Sequence, residues 1–277
     1  MAATFNQRLR HLCSQRNSLL CVGLDPDPER MPDHARGDVL RFNLAIIEAT
    51  SPFAVAFKLN AAFYECLGPE GWRILAETVR AIPDDVVAIL DAKRGDIGNS
   101  SRFYARAAFA ELGCDAVTVN PYMGRDAVEP FTPERQHGVF VLCLTSNPGA
   151  RDFQCRKCDG RPLYEHVALA VKSWNERDNL GLVVGATQAG AMASIRRLVP
   201  DIPFLVPGIG AQGGDLVASV HAATDAEGLG AIFNVSRAIL YASRGEDFAQ
   251  AAAEAARAIR DRINQHRREK LGPTRGD

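Results

Sequence analysis

The 277-residue sequence lacks the long apolar runs of a membrane protein and the charge surplus of a nucleic-acid-binding one. A membrane-spanning helix needs about 20 consecutive apolar residues, and no segment approaches that length. Lysine and arginine together number 32, aspartate and glutamate 33, and the formal net charge is −1. This balance gives no general reason to expect nucleic acid or an anionic membrane as a partner. With 47% apolar residues, the composition is that of an ordinary globular protein with a full core.

The regular cysteine spacing of a disulfide framework is also absent. The seven cysteines are an odd number, and several lie in apolar segments, where cysteine acts as a small core residue. Cys155 and Cys158 form the only Cys-x-x-Cys pair, and His166 lies outside the spacing of a zinc site. We therefore interpret this pair as incidental, and we expect no metal and a reducing, cytoplasmic environment.

No long linker, low-complexity block or shift in composition divides the chain. A single domain over residues 1–277 is the simplest interpretation, with a short N-terminal helix at about 4–16 and a polar tail at about 270–277.

The first 18 residues contain three arginines and no acidic residue, as mitochondrial presequences do. However, Phe5, Leu9 and Leu12 form a short amphipathic stripe, and an apolar run begins directly afterwards at Leu19. We therefore favour a helix that belongs to the domain.

The sequence does contain eight short apolar runs, each followed by a polar or glycine-rich segment. Their spacing is mostly about 20 to 40 residues, as strands that alternate with helices require. The runs are nearly continuous in hydrophobicity, which is typical of parallel strands buried on both faces. The pattern predicts an α/β fold, a single-domain (β/α)8 TIM barrel. The predicted strands are residues 19–24, 53–59, 86–90, 116–119, 139–144, 182–184, 204–206 and 231–233.

A doubly wound open sheet is the alternative architecture, and one motif favours it. Residues 208–213 match Gly-x-Gly-x-x-Gly, and Glu227 follows at a suitable distance. In a dinucleotide-binding domain this motif opens the first βαβ unit, whereas here it follows the seventh predicted strand. Such glycines also let backbone N–H groups approach a phosphate, and barrels commonly bind phosphate after strands 7 and 8. We therefore predict a phosphate site in this loop.

Four charged residues lie at the ends of the second and third predicted strands. Asp91 and Lys93 point to the same side of a strand because side chains alternate along it. Lys58 ends the neighbouring strand, and Asp96 follows Lys93 closely. Charges at strand ends are ordinarily surface groups, but the carboxyl ends of barrel strands carry catalytic residues. We expect these four charges to meet at the mouth of the barrel.

At these residues the chain resembles the orotidine 5′-phosphate decarboxylase family, in particular its longer bacterial branch with Asp-Ala-Lys-Arg-Gly-Asp-Ile-Gly, here residues 91–98. Asp-x-Lys-x-x-Asp alone is shared with related sugar-phosphate enzymes, but the full set of motifs in this order is specific. The resemblance covers nearly the whole chain. The other matching motifs are residues 22–25, 57–58, 119–122, 145–149, 184–187, 207–213 and 234–237.

The resemblance implies decarboxylation of orotidine 5′-phosphate to UMP and carbon dioxide, the last step of UMP biosynthesis, without a cofactor. Lys93 would protonate C6 of the pyrimidine, Asp91 would lie beside the substrate carboxylate, and Lys58 and Asp96 would complete the charges. Asp96 would reach into the partner's site, which implies a homodimer. A charged Lys93 would also stabilise the carbanion at C6, a charge that is absent from the bound substrate.

The resemblance also implies the substrate-binding residues. Asp25 and Lys58 would hold ribose hydroxyls, and Ser146 the pyrimidine edge. The other substrate-binding residues that it implies are Ile97, Ser100, Gly210, Gln212 and Arg237, the last three for the phosphate. Ser100 stands where many relatives carry threonine, and it keeps the hydroxyl. Gly98 stands where shorter relatives often have proline, so the loop is less restricted there.

Three other functions fit parts of the sequence. A magnesium-dependent sugar-phosphate aldolase or decarboxylase would carry an acidic residue where Lys58 stands, and a lysine there would repel the metal. A non-catalytic nucleotide-binding barrel needs the phosphate loop but not the four charges, whose assembly costs desolvation. A dinucleotide-dependent oxidoreductase conflicts with the position of the glycine-rich motif.

Overall fold

Eight parallel strands close into a barrel in the computed structural model, which describes residues 3–209 and 215–272. Each strand pairs with its neighbours in sequence, and β8 pairs with β1. Each observed strand overlaps one predicted run, so the barrel is confirmed and the open sheet is excluded. The strands are β1 (Leu20–Gly23), β2 (Ala56–Asn60), β3 (Val87–Arg94), β4 (Ala116–Val119), β5 (Gly138–Leu144), β6 (Leu180–Val184), β7 (Phe204–Pro207) and β8 (Ala231–Val235).

Helices connect the strands and cover the barrel. A π-helical segment, Ala107–Glu111, directly follows the helix Gly98–Arg106, and a small antiparallel hairpin, Lys157–Cys158 with Arg161–Pro162, lies between β5 and the helix Leu163–Trp174. None of the described helices is long and apolar enough to cross a membrane. The helices are α1 (Phe5–Gln15), α2 (Val39–Thr50), α3 (Ala62–Glu65), α4 (Gly68–Arg80), α5 (Gly98–Arg106), α6 (Arg125–Val128), α7 (Leu163–Trp174), α8 (Ala189–Leu198), α9 (Leu216–Ala223), α10 (Arg237–Leu240) and α11 (Phe248–Leu271).

Helix α1 packs against the bottom of the barrel, the end where the strands begin. The ring of Phe5 meets the edge of Phe140 at 5.9 Å, and it lies so close to Gly138 that a Cβ there would clash with it. The basic residues of α1 pair with acids that precede strands, as in Arg8 with Asp115 at 2.7 Å. These contacts explain both the apolar stripe and the arginines of the first 18 residues.

A buried arginine connects several chain segments at the bottom of the barrel. The guanidinium of Arg196, on α8, donates to five backbone carbonyl oxygens and lies over the ring of Phe204 at 3.7 Å. Burial lowers the pKa of Arg196 to about 10, so the group is still charged at neutral pH. The carbonyls belong to Val199, Pro200, Ile202, Ala223 and Gly230.

Candidate active site

A cavity of about 660 Å³ opens at the mouth of the barrel, where the strands end. Its lining comes from all eight strands or from the segments that directly follow them. This is the end of a barrel at which enzymes of this fold carry their active sites. The lining residues that the sequence analysis singled out are Asp25, Lys58, Asp91, Lys93, Ser146 and Arg237.

Asp91 lies at the centre of a chain of alternating charges. Its Oδ2 accepts a hydrogen bond from Lys58 Nζ at 2.9 Å, and its Oδ1 accepts one from Lys93 Nζ at 2.7 Å. Lys58 Nζ also lies 3.7 Å from Asp25 Oδ1. The order of charges across the mouth is therefore Asp25, Lys58, Asp91, Lys93.

Burial and pairing fix the charge states of the two inner members of this chain. Lys58 is 3% exposed and Asp91 is 8% exposed. Burial alone would lower the pKa of Lys58, but the carboxylates of Asp25 and Asp91 outweigh it and hold that pKa above its ordinary value. Burial would likewise raise the pKa of Asp91, but Lys58 and Lys93 hold it well below the ordinary range. Both groups are therefore charged at neutral pH.

Strand β3 is irregular where it carries the catalytic candidates. Its pairing with β4 shifts register between Leu90 and Arg94, and Lys93 has a backbone φ of 47°, in the left-handed region. Such irregularities redirect side chains and are common next to active sites. Both lysines line the cavity, but the Lys93 side chain is 47% exposed and that of Lys58 only 4%.

Asp25 is held in place by the end of β2 and by residues that follow β8. Its Oδ2 accepts a hydrogen bond from Ser236 Oγ at 2.7 Å, and its Oδ1 accepts the backbone N–H of Asn60 at 3.3 Å. The hydroxyl of Tyr241 donates to the backbone carbonyl of Asp25 at 3.2 Å. A Cβ at Gly23 would lie only 1.9 Å from Ser236 Oγ, so this approach requires glycine.

On another side of the cavity, Ser146 and Arg237 offer polar groups to a ligand. Ser146 Oγ is buried and has no hydrogen-bond partner among the described residues, so its hydroxyl remains available. Arg237 follows β8 and begins α10, beside the end of β7. Gly210 and Gln212, both predicted for the phosphate, lie outside the described residues.

Three predicted site residues do not line the cavity within one chain. Asp96 is absent from the described lining, and its Oδ1 accepts the backbone N–H of Ile97 at 2.8 Å. Ile97 is 59% exposed, and Ser100 is exposed on the first turn of α5. The reason is that the chain leaves the mouth after Lys93 to enter α5. The expected meeting of Asp96 with Lys58, Asp91 and Lys93 is thus not seen in the single chain, where Asp25 is the fourth charge.

The features that favoured other functions lie elsewhere. Glu227, the acid expected of a dinucleotide site, pairs with Arg10 at 2.8 Å at the bottom of the barrel, the end opposite the glycine-rich loop. Cys155 and Cys158 are exposed. Within residues 3–209 and 215–272, no group of three or more His, Cys, Asp or Glu side chains is placed to hold a metal ion.

Comparison with known proteins decides the family. The model of the Orotidine 5'-phosphate decarboxylase / HUMPS family matches residues 18–255. The chain belongs to that family. It is 52% identical over 268 residues to the orotidine 5'-phosphate decarboxylase of Dehalococcoides mccartyi (strain ATCC BAA-2100), covering 95% of this chain and 98% of that protein. The corresponding protein of Bordetella pertussis is 49% identical, covering 94% and 98%.

Solved structures of the decarboxylase family agree with the fold. The OMP decarboxylase of Leishmania donovani superposes with a TM-score of 0.85 at 42% identity, covering 96% of this chain and 99% of that one. The UMP synthase of the same organism gives a TM-score of 0.84 at 44% identity over 95% of this chain, but only 57% of that chain is covered. Both similarities span nearly the whole barrel described above.

Sequence reasoning did not single out two residues that contact the charged side chains at the mouth, Thr118 and Ser236. Thr118 lies in β4, where threonine is an ordinary strand residue, and its hydroxyl contacts Asp91 at 2.9 Å. Ser236 directly precedes Arg237, and only the structure reveals its contact with Asp25. The signal that was available is position: Thr118 directly precedes the motif at residues 119–122, and Ser236 lies within the motif at residues 234–237.

Proposed function

We propose that this chain decarboxylates orotidine 5′-phosphate to UMP and carbon dioxide, and that Lys93 is the proton donor. The observation that carries the proposal is the alternating charge chain, in which Lys93 Nζ lies 2.7 Å from Asp91 Oδ1 and remains accessible from the cavity. The names of the family members, at about half identity over nearly the full length, support the substrate.

The reaction breaks the bond between C6 and the carboxylate carbon and leaves the electron pair on C6. The ammonium of Lys93 would stabilise that charge and then transfer one proton to C6. The Lys93 ammonium would lower the barrier because the negative charge at C6 develops only during the reaction and does not exist in the bound substrate. Asp91 would lie beside the substrate carboxylate and repel it, while Lys58 keeps Asp91 ionised.

The other ends of the substrate would be held by the groups around the cavity. Asp25, fixed by Ser236, and Lys58 would bind ribose hydroxyls. The unpartnered hydroxyl of Ser146 would bind the pyrimidine edge. Arg237 would bind the phosphate through a bidentate contact, together with Gly210 and Gln212. Binding energy at the phosphate would position the ring over Lys93.

A magnesium-dependent reaction on a sugar phosphate is the closest alternative within this barrel design. It requires acidic groups free to bind a divalent cation at the mouth. Here the Lys58 ammonium lies between the carboxylates of Asp25 and Asp91, at 3.7 and 2.9 Å. A cation placed there would have to displace or repel the lysine. The arrangement therefore favours the metal-independent decarboxylation.

Ultraviolet absorbance of orotidine 5′-phosphate with the purified protein tests the proposed function. We expect the orotate absorbance to disappear at the same rate with and without EDTA. An EDTA-sensitive loss would contradict the metal-independent reaction. No loss with folded protein would contradict the assignment. Turnover of sugar phosphates with magnesium would then support the aldolase or decarboxylase alternative, and tight UMP binding without turnover would support a binding protein.

We also propose a homodimer in which Asp96 completes the partner's active site. The proposed dimer is supported by large apolar side chains that are exposed near the mouth. Among the described residues, large apolar side chains are exposed on α5 and on the segments after β3 and β4, next to Asp96. Several large apolar side chains exposed on these segments favour an interface. These side chains are Ile97, Phe103, Tyr104, Tyr122 and Met123.

Mixing two inactive variants tests the shared site. Lys93→Ala and Asp96→Ala proteins are unfolded together and refolded, so that half of the dimers are mixed. If Asp96 acts in the partner's site, each mixed dimer holds one intact site, and activity returns to about a quarter of wild type. If Asp96 acts within its own chain, no activity returns. Sedimentation measures the dimer independently.

The cysteines support a reducing, cytoplasmic setting. All seven are free thiols in the structure. Burial raises the pKa of Cys13 and of Cys114 to about 12, so these two thiols are unreactive core residues at neutral pH. We infer that the protein requires no oxidising compartment to fold.

A further inference from the structure

We propose that Thr118 is a positioning residue of the reaction, whose hydroxyl holds the Asp91 carboxylate and the Lys93 backbone in one fixed arrangement. This inference rests on the proposed decarboxylation. It concerns a residue in the middle of β4 that borders the mouth cavity and acts on the reaction through Asp91 and Lys93.

The hydrogen bonds of the Thr118 hydroxyl connect the two catalytic candidates directly. A hydroxyl has one proton to donate, and here it goes to Asp91 Oδ1 at 2.9 Å. The same oxygen accepts the backbone N–H of Lys93 at 2.9 Å. Thr118 is 1% exposed, so in the folded protein its hydroxyl bonds to these two groups and not to bulk water.

The bulge in β3 explains why a side chain is needed here. Leu90 pairs with Val117 and Arg94 pairs with Val119, so three residues of β3 lie opposite the single residue Thr118. The intervening backbone therefore leaves the regular ladder, and the Lys93 N–H is bonded by the threonine oxygen instead. The hydroxyl thus holds Lys93 at its unfavourable φ of 47°.

The same contact restricts how the Asp91 carboxylate can turn. Its Oδ1 accepts from Thr118 and Lys93, and its Oδ2 accepts from Lys58. Three donors from three different strands leave one orientation of the carboxylate that satisfies all of them. Without Thr118, the carboxylate loses one of its three donors and can turn with the half-exposed Lys93 side chain. The distance between the ammonium and the reacting carbon is then less well defined, which lowers kcat more than substrate affinity.

Steady-state kinetics of three Thr118 variants test this role. Thr118→Val keeps the volume of the side chain but replaces the hydroxyl by a methyl group. Thr118→Ala also removes the hydroxyl and places no methyl group against Asp91. Thr118→Ser retains the hydroxyl. We expect kcat to fall about tenfold to a hundredfold in the two hydroxyl-free variants, as for loss of a hydrogen bond to a charged group. We expect KM and the UMP dissociation constant to stay within about threefold, and Thr118→Ser to keep kcat within about threefold of wild type.

Thr50→Val is the matched control. Thr50 is also fully buried, and its hydroxyl donates to the Ile46 carbonyl within α2 on the outside of the barrel. We expect this variant to change the melting temperature without changing kcat, which separates a general loss of stability from loss of positioning.

Three results would overturn the inference: a folded hydroxyl-free variant with wild-type kcat, a Thr118→Ser variant as slow as Thr118→Val, or a rise in KM without a fall in kcat. Wild-type turnover is measured in the same series. If wild type fails to turn over the substrate, the proposed function fails and the positioning role falls with it. If wild type is active, the variants decide the role of Thr118 alone.

Discussion

The mouth and the bottom of this barrel both bury charged side chains, but the partners of those charges differ. At the mouth, Lys58 and Asp91 are bonded to other charged side chains and adjoin a cavity of about 660 Å³. At the bottom, Arg196 is bonded to backbone carbonyls from the segments before β7 and β8. The first arrangement is open to a ligand on one side, whereas the second satisfies its charge entirely within the fold.

The buried charges at the two ends also contribute differently to the stability of the fold, because their partners differ. Buried side-chain ion pairs seldom repay their desolvation, so a fold gains little stability from the mouth cluster. Backbone carbonyls at the bottom would be unsatisfied without a donor, and each such group costs free energy. The fork of Arg196 supplies donors to five of them. The partners of a buried charge therefore distinguish the two ends: side-chain ion pairs at the mouth leave charges for proposed chemistry, and backbone carbonyls at the bottom make Arg196 a stabilising residue.

The largest effect is expected for Lys93→Ala at the mouth. Because Lys93 would supply both the proton and the stabilising charge, kcat should fall by about 10⁴-fold or more. The free energy of unfolding should change by less than about 1 kcal/mol, since the side chain is half exposed. Steady-state rates and chemical denaturation measure the two quantities. Retained UMP binding is the control, and a residual rate near wild type would remove Lys93 from the chemistry.

Asp91→Asn is expected to affect both activity and stability. The rate should fall by about 10²- to 10³-fold because the charge beside the substrate carboxylate is lost. The free energy of unfolding should fall by about 2–4 kcal/mol because buried Lys58 loses its 2.9 Å partner. An unchanged stability would show that Asp25 alone suffices to pair Lys58, and the comparison between the two ends would then need revision.

Arg196→Met should give the opposite result to Lys93→Ala. Removing the guanidinium takes a donor from five carbonyls, of which, within the described part of the chain, only those of Val199 and Gly230 are also bonded by a backbone N–H outside helices and strands, so the free energy of unfolding should fall by about 3 kcal/mol. The value of kcat at 25 °C should stay within about twofold, because Arg196 lies at the end opposite the cavity. Exposed Arg197, its neighbour on α8, provides the control variant Arg197→Met. A large loss of kcat in folded Arg196→Met protein would contradict the separation of roles.

The smallest effect concerns pH. The pKa of Asp91 is held below its ordinary value, so its contribution to stability is present above about pH 4 and is lost only as pH falls through the folded-state pKa. The pKa of Lys58 is raised, so its contribution is complete below about pH 10 and is lost as pH rises through the folded-state pKa. Between about pH 5 and 9, kcat should therefore show no titration of either group. If a titration in that range disappeared in Asp91→Asn, these charge states would be wrong.

The sequence predicted the barrel because parallel strands buried on both faces produce short, continuous apolar runs. Every strand from β1 to β8 overlapped such a run. The sequence also predicted that Lys58, Asp91 and Lys93 meet, because the ends of neighbouring strands are fixed by the fold. These inferences required only the order of elements along the chain.

The remaining features depend on packing that sequence patterns do not reveal. Arg196 resembles any arginine in the last turn of a helix, where cations are common, so its burial could not be predicted. The bulge opposite Thr118 leaves no mark in composition or periodicity. Asp96 lies outside the cavity of the single chain, whereas the motif suggested that it meets the other three charges; in the proposed homodimer it would act in the partner's site.

Nuclear magnetic resonance of the product formed in D2O tests the central claim most directly. Every exchangeable donor is deuterated in D2O, so the account predicts UMP with one deuterium at C6, released together with an equal amount of carbon dioxide, and the Lys93 variant decides whether Lys93 supplied it. Lys93→Ala should form neither product at a comparable rate. UMP that carries hydrogen at C6, or an absence of UMP despite folded wild-type protein, would contradict the account.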